Sequence, residues 1–205
     1  MIAAVLLAAG GSTRMGCPKP LLPFGRGTLL DAALRPLVDA PGIDRVHVVL
    51  GCRAGEVAAR LAAPAKVTLV RNPRWELGMA SSIRCGVRSL PAGVTAVLLA
   101  LGDQPRVPGA AIARVITAWR AARPEPLIVI PTFRGRRGHP VLFDGRLRAR
   151  LERLGGQDGA RGLVRRLAAR VLEVPTRQAG ILLDVDTPAE YRALRGAGAI
   201  RRASH

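Results

Sequence analysis

Short unbroken apolar runs alternate along this chain with stretches whose apolar positions recur every three or four residues. The runs at 2–7, 46–50, 67–70, 96–101, 127–130 and 181–185 predict buried strands. The periodic stretches at 29–38, 56–63, 81–89, 110–122, 147–154, 160–169 and 188–194 predict helices. In the first helix Leu30, Ala33, Leu34 and Leu37 share a face, and Pro36 is expected to disturb its end. Pro64 closes the second, and Pro188 sits near the first turn of the last. Strand and helix in this order predict a mostly parallel, Rossmann-like sheet with helices on both faces, a single-domain three-layer α/β/α architecture. The domain is placed at 1–195, and 196–205 is expected to be a frayed tail.

In such a sheet ligands bind beyond the carboxyl ends of the strands. The turns at those ends are therefore the places to seek chemistry. After the first strand comes Gly10-Gly11-Ser12-Thr13-Arg14-Met15-Gly16, then Lys19 between Pro18 and Pro20. Adjacent glycines allow a tight turn and close approach of a ligand to the main chain. Hydroxyls, a cation and main-chain N–H groups then form a series able to wrap a triphosphate. The spacing is neither the G-x-x-x-x-G-K-[ST] loop nor G-x-G-x-x-G. An ordinary glycine turn is the competing reading. Of 32 Lys+Arg residues only Lys19 and Lys66 are lysine. In so arginine-rich a chain, a lysine here suits a compact point charge on phosphate.

Three other segments stand out. Asn72 and Gly78 suit turns, and Ser81 or Ser82 suits the N-cap of the next helix. Asp103 ends an apolar strand beside Gly102 in a chain with only 14 Asp+Glu. A carboxylate with phosphate oxygens is a usual way to hold magnesium, although an Asp turn before Pro105 would look the same. Asp184 and Asp186 would share a face if the last strand persists. Asp186 or Thr187 could instead only cap the final helix. The stretch from Pro131 to Phe143 reads as a glycine-rich, arginine-dense hairpin carrying His139, either a structural turn histidine or a grip on a second anionic substrate.

Length and composition narrow the classes. The chain's 205 residues suit one domain with a proper core. Aromatics are 3%, which argues against stacking platforms for single-stranded nucleic acid. The formal charge of +18 fits a polyanionic ligand or an arginine background on exposed helices. Arg134-Gly135-Arg136-Arg137 could contact nucleic acid, but no recognition motif accompanies it. Cys17, Cys52 and Cys85 form no C-x-x-C, so a disulfide framework or zinc site is not expected and a reducing cytoplasm fits. The apolar N-terminus lacks a basic flank and is too short to span a membrane.

The segment L-A-A-G-G-S-T-R-M-G-x-P-K-x-L-L-P at 7–23 resembles the opening signature of the MobA-like nucleotidyltransferases. Within them it is most similar to the molybdenum cofactor cytidylyltransferases, and the resemblance runs to 181–185. It implies the nucleotide-diphospho-sugar transferase type of fold. It also implies transfer of CMP from CTP to the terminal phosphate of a molybdopterin-type cofactor, with pyrophosphate released. By resemblance, nucleotide contacts fall on Leu7, Ala8, Ala9, Gly10, Gly11, Ser12, Arg14, Lys19, Asn72, Gly78, Ser81, Ser82 and Asp103. Arg14, Lys19 and Asp103 are the implied catalytic residues. Asp103 in L-x-D-x-P and Asp186 in D-x-D-T-P are the implied Mg2+ ligands. Gly138, His139 and Pro140, in P-x-x-x-G-x-x-G-H-P-V-x-F, lie on the acceptor side, and Arg161 joins them.

Leu7-Ala8-Ala9-Gly10 and the two aspartates lean towards CTP, since guanylyl-transferring relatives tend to carry L-A-G-G and asparagines. One departure is that the family's G-D-x-G-A-R reads Gly155-Gly156-Gln157-Asp158-Gly159-Ala160-Arg161, with the acid one place later, which puts acceptor identity in doubt. An apo-molybdenum hydroxylase is an implied recipient of product; no specific nucleic acid and no membrane partner is expected. Alternatives are a related transferase using GTP or another phosphorylated acceptor, a non-catalytic molybdenum-enzyme maturation factor, and a basic nucleic-acid binder.

Overall fold

The computed structural model describes residues 1–12 and 15–200, with side chains to 195. Its centre is a sheet built from β1 (Ile2–Ala8), β4 (Arg45–Leu50), β5 (Val67–Arg71), β6 (Ala96–Leu101), β7 (Ile128–Phe133), β9 (Val141–Asp144) and β10 (Val171–Pro175). Two residues, β8 (Arg136–Arg137), pair with β7 off the main path. The order is β10-β7-β9-β6-β1-β4-β5. All main-path neighbours are parallel except those of β9, which runs against both β6 and β7. A separate hairpin joins β2 (Pro23–Phe24) to β3 (Gly27–Thr28).

Alternation along β1 divides the core in two. Ile2, Ala4, Leu6 and Ala8 pack with α1 (Leu29–Asp39), α2 (Ala54–Arg60) and α4 (Gly109–Ala121). Ala3 and Val5 pack with α3 (Met79–Arg88), α5 (Arg148–Leu151) and α6 (Arg161–Arg166). Helices thus cover both faces, as the strand–helix alternation predicts. A small third cluster of Phe24, Leu29 and Val185 is joined by Tyr191 and Leu194 of α7 (Pro188–Ile200). Tyr191 also donates its hydroxyl to the Pro23 carbonyl at 2.6 Å. That packing anchors the segment leading into α7 beside β2.

Several sequence expectations change. Residues 181–185 are not a strand: a 3-10 turn spans Ala179–Leu182. Ile181 and Val185 are fully buried, which explains the apolar run. Their main-chain bonds go to loops instead of a ladder, however: the Ile181 carbonyl accepts from His139 N–H, and Val185 N–H donates to the Asp103 carbonyl. The last strand is β10, and β9 is a further one beyond the predicted set. The helix expected at 147–154 shortens to a 3-10 turn, Gly145–Leu147, and α5; that at 160–169 becomes α6 and a 3-10 turn, Ala168–Arg170. The first helix runs on through Pro36 to Asp39. The last extends to Ile200, past 194; of the tail expected at 196–205, 201–205 lie outside the described residues.

Strand order reverses at β1. The chain moves one way through β4 and β5, then returns to place β6 on the other side of β1. A crevice beyond the carboxyl ends of β1 and β6 is the general ligand position in sheets of this topology. The turn after β1 and the Gly102-Asp103 turn after β6 therefore face a shared rim. Gly102 N–H donates to the Leu7 carbonyl at 2.9 Å. A Cβ on Gly102 would lie 3.0 Å from the Ala8 Cβ and 3.1 Å from the Leu7 carbonyl, so glycine eases the close meeting of the turns.

Candidate active site

The sequence-predicted acids and lysine converge at that rim. Lys19 Nζ donates to Asp186 Oδ1 at 2.9 Å, to the Val185 carbonyl at 2.9 Å and to Asp103 Oδ2 at 3.3 Å. Asp103 and Asp186, far apart in sequence, thus share one cation. Burial opposes the Lys19 charge, but its bonds to Asp186 and Asp103 outweigh that and hold the ammonium above its ordinary pKa. Burial pushes the Asp103 carboxyl up, and Lys19 only partly pulls it back. Both directions belong to one arrangement, a charged lysine satisfied by three oxygens over a carboxylate that is costly to bury without it.

Local chemistry puts each group there. Pro18 and Pro20 flank Lys19, which opens a 3-10 turn, Lys19–Leu21. Its main-chain N–H donates to Ser12 Oγ at 2.9 Å. Ser12 takes a left-handed φ of 52° and Gly16 one of 66°. Gly10 does not; its missing side chain leaves open space, which is the close-approach role and not the tight-turn one. A cavity of about 250 Å3 lies between Gly10–Ser12, Gly16–Pro18 and the Cys52–Arg53 turn after β4. Lys19, Asp103 and Asp186 are not in its lining. Arg14 and Thr13 lie outside the described residues.

The cap expected at Asp186 or Thr187 falls to Thr187. Thr187 Oγ1 accepts from Glu190 N–H at 3.3 Å, and Glu190 Oε2 accepts from the N–H groups of Asp186 and Thr187. This is a capping box at the start of α7. Thr187 caps, and the Asp186 carboxylate accepts from Lys19. Asp184 has a different partner: Gln104 Nε2 donates to its Oδ1 at 2.5 Å. Gln104 is buried, and its Oε1 has no partner among the described residues. The Val185 carbonyl and the Gln104–Asp184 pair escaped sequence reasoning. So did Cys52-Arg53, although it lies just beyond a predicted strand, where a ligand-facing turn is expected.

The Asn72–Ser82 segment is held from within. Asn72 Nδ2 donates to Ser81 Oγ at 2.9 Å and Ser82 Oγ at 3.1 Å, and its Oδ1 accepts from Arg74 N–H. Ser81 donates to the Arg74 carbonyl at 2.7 Å. All three side chains are buried. Neither serine caps α3: Gly78 does, with a φ of 88°, which favours glycine. These side chains set the shape of a turn whose main chain is what remains for a ligand.

On the expected acceptor side Gly138 lies so close to the Ile181 carbonyl that a Cβ there would overlap it. His139 and Pro140 are joined by a cis peptide. Burial drives the His139 pKa down to about 4; Asp184 opposes the shift and Arg161 adds to it. The ring is therefore near the charges of both. Because the folded pKa is depressed, the neutral ring is the form the fold prefers. His139's contribution to stability should be full above pH ~6.5 and fade as the pH falls towards about 4, where the folded ring also protonates. A proton NMR titration, with the ring assigned by a His139→Gln variant, should find His139 unprotonated at pH 5.5; a midpoint near 6.5 for that ring would contradict its burial.

The residues fit a divalent cation. Asp103, Asp186 and the Val185 carbonyl already present three hard oxygens to one positive centre, the donor chemistry that Mg2+ or Mn2+ takes. Among the described residues no cluster of three or more His, Cys, Asp or Glu supplies an all-protein cage. A two-carboxylate site completed by substrate phosphate is the form left open. Among the described residues no helix is long and apolar enough to cross a membrane.

The chain is 30% identical over 192 residues to the molybdenum cofactor cytidylyltransferase of Escherichia coli (strain K12), covering 93% of each. It is 34% identical over 206 residues to the nicotine blue oxidoreductase of Paenarthrobacter nicotinovorans, covering 94% of this chain and 96% of that one. The structure of Rv0371c from Mycobacterium tuberculosis H37Rv in complex with manganese matches with a TM-score of 0.79 at 33% identity, over 95% of this chain and 97% of that one. Residues 4–171 match the MobA-like NTP transferase domain. With that match laid over a glycine loop, a lysine and two convergent aspartates, the chain belongs to the MobA-like NTP transferase family.

Proposed function

We propose that this nucleotidyltransferase moves CMP from CTP to the terminal phosphate of a molybdopterin-type cofactor and releases pyrophosphate. The observation that carries a transfer reaction is the convergence of Asp103, Asp186 and Lys19 beside the glycine loop. CTP and the acceptor are supported by Leu7-Ala8-Ala9-Gly10, by the paired aspartates and by the cytidylyltransferase relative.

The reaction asks little of a base. A phosphate monoester is already anionic, so its oxygen can attack the α-phosphorus in line as the pyrophosphate bond breaks. The barrier lies in gathering anions and offsetting charge in the transition state. In this reading the open main chain at Gly10 and the 8–16 loop, with Arg14, receive the leaving pyrophosphate. Lys19 exchanges its carboxylate partners for phosphate oxygen near the reacting centre. Asp103 and Asp186 would hold a divalent ion, which screens the triphosphate charge. Gly138, His139, Pro140 and Arg161 line the acceptor side, where His139 stays neutral and serves in orientation, not proton transfer.

The name of the Paenarthrobacter relative raises an oxidoreductase as a second reading. The loop after β1 lacks the G-x-G-x-x-G of dinucleotide folds, and two acids sharing a lysine suit phosphate and metal better than hydride transfer. Thermal unfolding with CTP, GTP or ATP, each with Mg2+ and again with Mn2+, tests the nucleotide. A ligand that binds only the folded state raises the melting temperature with its saturation. Selective stabilisation by CTP is expected. A GTP preference would move the protein to guanylyl transfer, and stabilisation by NADH alone would favour the oxidoreductase.

A further inference from the structure

A second concentration of positive charge lies in the segment that joins α5 to α6. A cavity of about 550 Å3 is lined by Arg150 and Arg153 from one side of that segment and Arg165 and Arg166 from the other. Neighbouring arginines are engaged. Arg146 binds Asp144, Arg148 binds Glu152 and two carbonyls, and Arg170 binds the Glu125 carbonyl. The four in the cavity make no side-chain hydrogen bond or ion pair with any described residue. One acid, Asp158, shares the lining, and Glu152 is already held by Arg148 at 2.9 Å. Four like charges around one concavity repel, and the fold supplies too little to offset them.

The chemistry of the lining narrows the occupant. The volume is that of a small-molecule site. No aromatic side chain lines it, so a base would find no platform. Guanidinium forks match phosphate oxygens, and Gly155 and Gly156 leave main chain exposed beside them. The same loop touches the nucleotide-side turn: a Cβ on Gly78 would lie 3.4 Å from Gln157 Cα, and one on Gly159 would lie 2.8 Å from Met79 Sδ. We infer that this cavity binds a compact polyphosphorylated anion, at a site separate from the glycine loop and in mechanical contact with the turn that opens α3. Such a site is independent of which nucleotide the protein uses.

Hydrogen–deuterium exchange on the intact chain tests it, with inorganic tripolyphosphate as the probe at fixed ionic strength. Slowed exchange across 155–166 is expected in the wild type. It should persist in Lys19→Ala, which weakens the other anion site, and vanish in the double variant Arg165→Gln/Arg166→Gln. Both arginines are exposed, so that variant should fold with an unchanged circular dichroism spectrum. Each lost guanidinium should weaken tripolyphosphate binding about tenfold or more. The same protection from sodium chloride at matched ionic strength would overturn the proposal. So would protection confined to 8–20, or protection given by a polyglutamate peptide and not by tripolyphosphate.

Discussion

Replacing Asp103 by asparagine should lower the rate of nucleotidyl transfer by about a thousandfold at saturating nucleotide and metal, while the protein stays folded. The magnitude follows from removing one preorganised charge at a site where charge develops during reaction. Asparagine keeps the shape and can still offer Lys19 an oxygen. The structural bond made by Asp103, its carbonyl to Val185 N–H at 2.9 Å, is main chain and survives the change. Burial also holds the Asp103 carboxyl above its ordinary pKa, so a neutral side chain costs the fold little. Circular dichroism and melting temperature should therefore match the wild type within a few degrees. Steady-state pyrophosphate release measures the rate. Normal metal-dependent turnover would defeat the assignment of Asp103 as a metal ligand.

Lys19→Ala should separate two quantities that a merely structural lysine would move together. Turnover at saturating nucleotide should fall by about 10²–10³, because in the proposed mechanism the lost cation faces the reacting phosphate. Binding of Mn2+ without nucleotide should instead tighten. In the wild type the ammonium sits at 2.9 Å from Asp186 and 3.3 Å from Asp103, where it competes for the oxygens a metal would use. Removing it takes away a positive charge held between two acids, and a divalent ion can take that place. Isothermal titration with Mn2+ and single-turnover kinetics read the two effects. Unchanged turnover would sink the role of Lys19, and weaker metal binding would show that the lysine supports the carboxylates instead of competing with them.

The parallel sheet was legible because β1, β4 and β6 are buried on both faces and so appear as unbroken apolar runs. β10 was not: Val171-Leu172-Glu173-Val174-Pro175 carries an exposed acid and a proline at the sheet edge, too mixed for that rule. β9 is four residues long and comes directly after its hairpin, leaving no room for a period to develop. The run at 181–185 misled for a related reason. Burial of Ile181 and Val185 gives a strand-like pattern, but the chain turns at Ala179–Leu182, where a Cβ on Gly180 would overlap the Arg106 carbonyl. The candidate site survived this error. Asp186 needs only to come after a buried anchor, and Val185 provides one whether or not its backbone is in the sheet. Ser81 and Ser82 failed as caps because their hydroxyls sit inside the Asn72 network, a tertiary choice that no local propensity encodes.

The central claim is that Asp103 and Asp186 act as one cation site on a nucleotide's phosphates. Electron paramagnetic resonance of Mn2+ titrated into protein saturated with CTP addresses it directly. The wild type should bind one ion, and Asp103→Asn and Asp186→Asn should each weaken that ion by about tenfold or more, as loss of a charged ligand requires. Undiminished binding in either single variant would mean the two carboxylates do not share an ion, and the assignment of this rim as the reaction centre would fall with it.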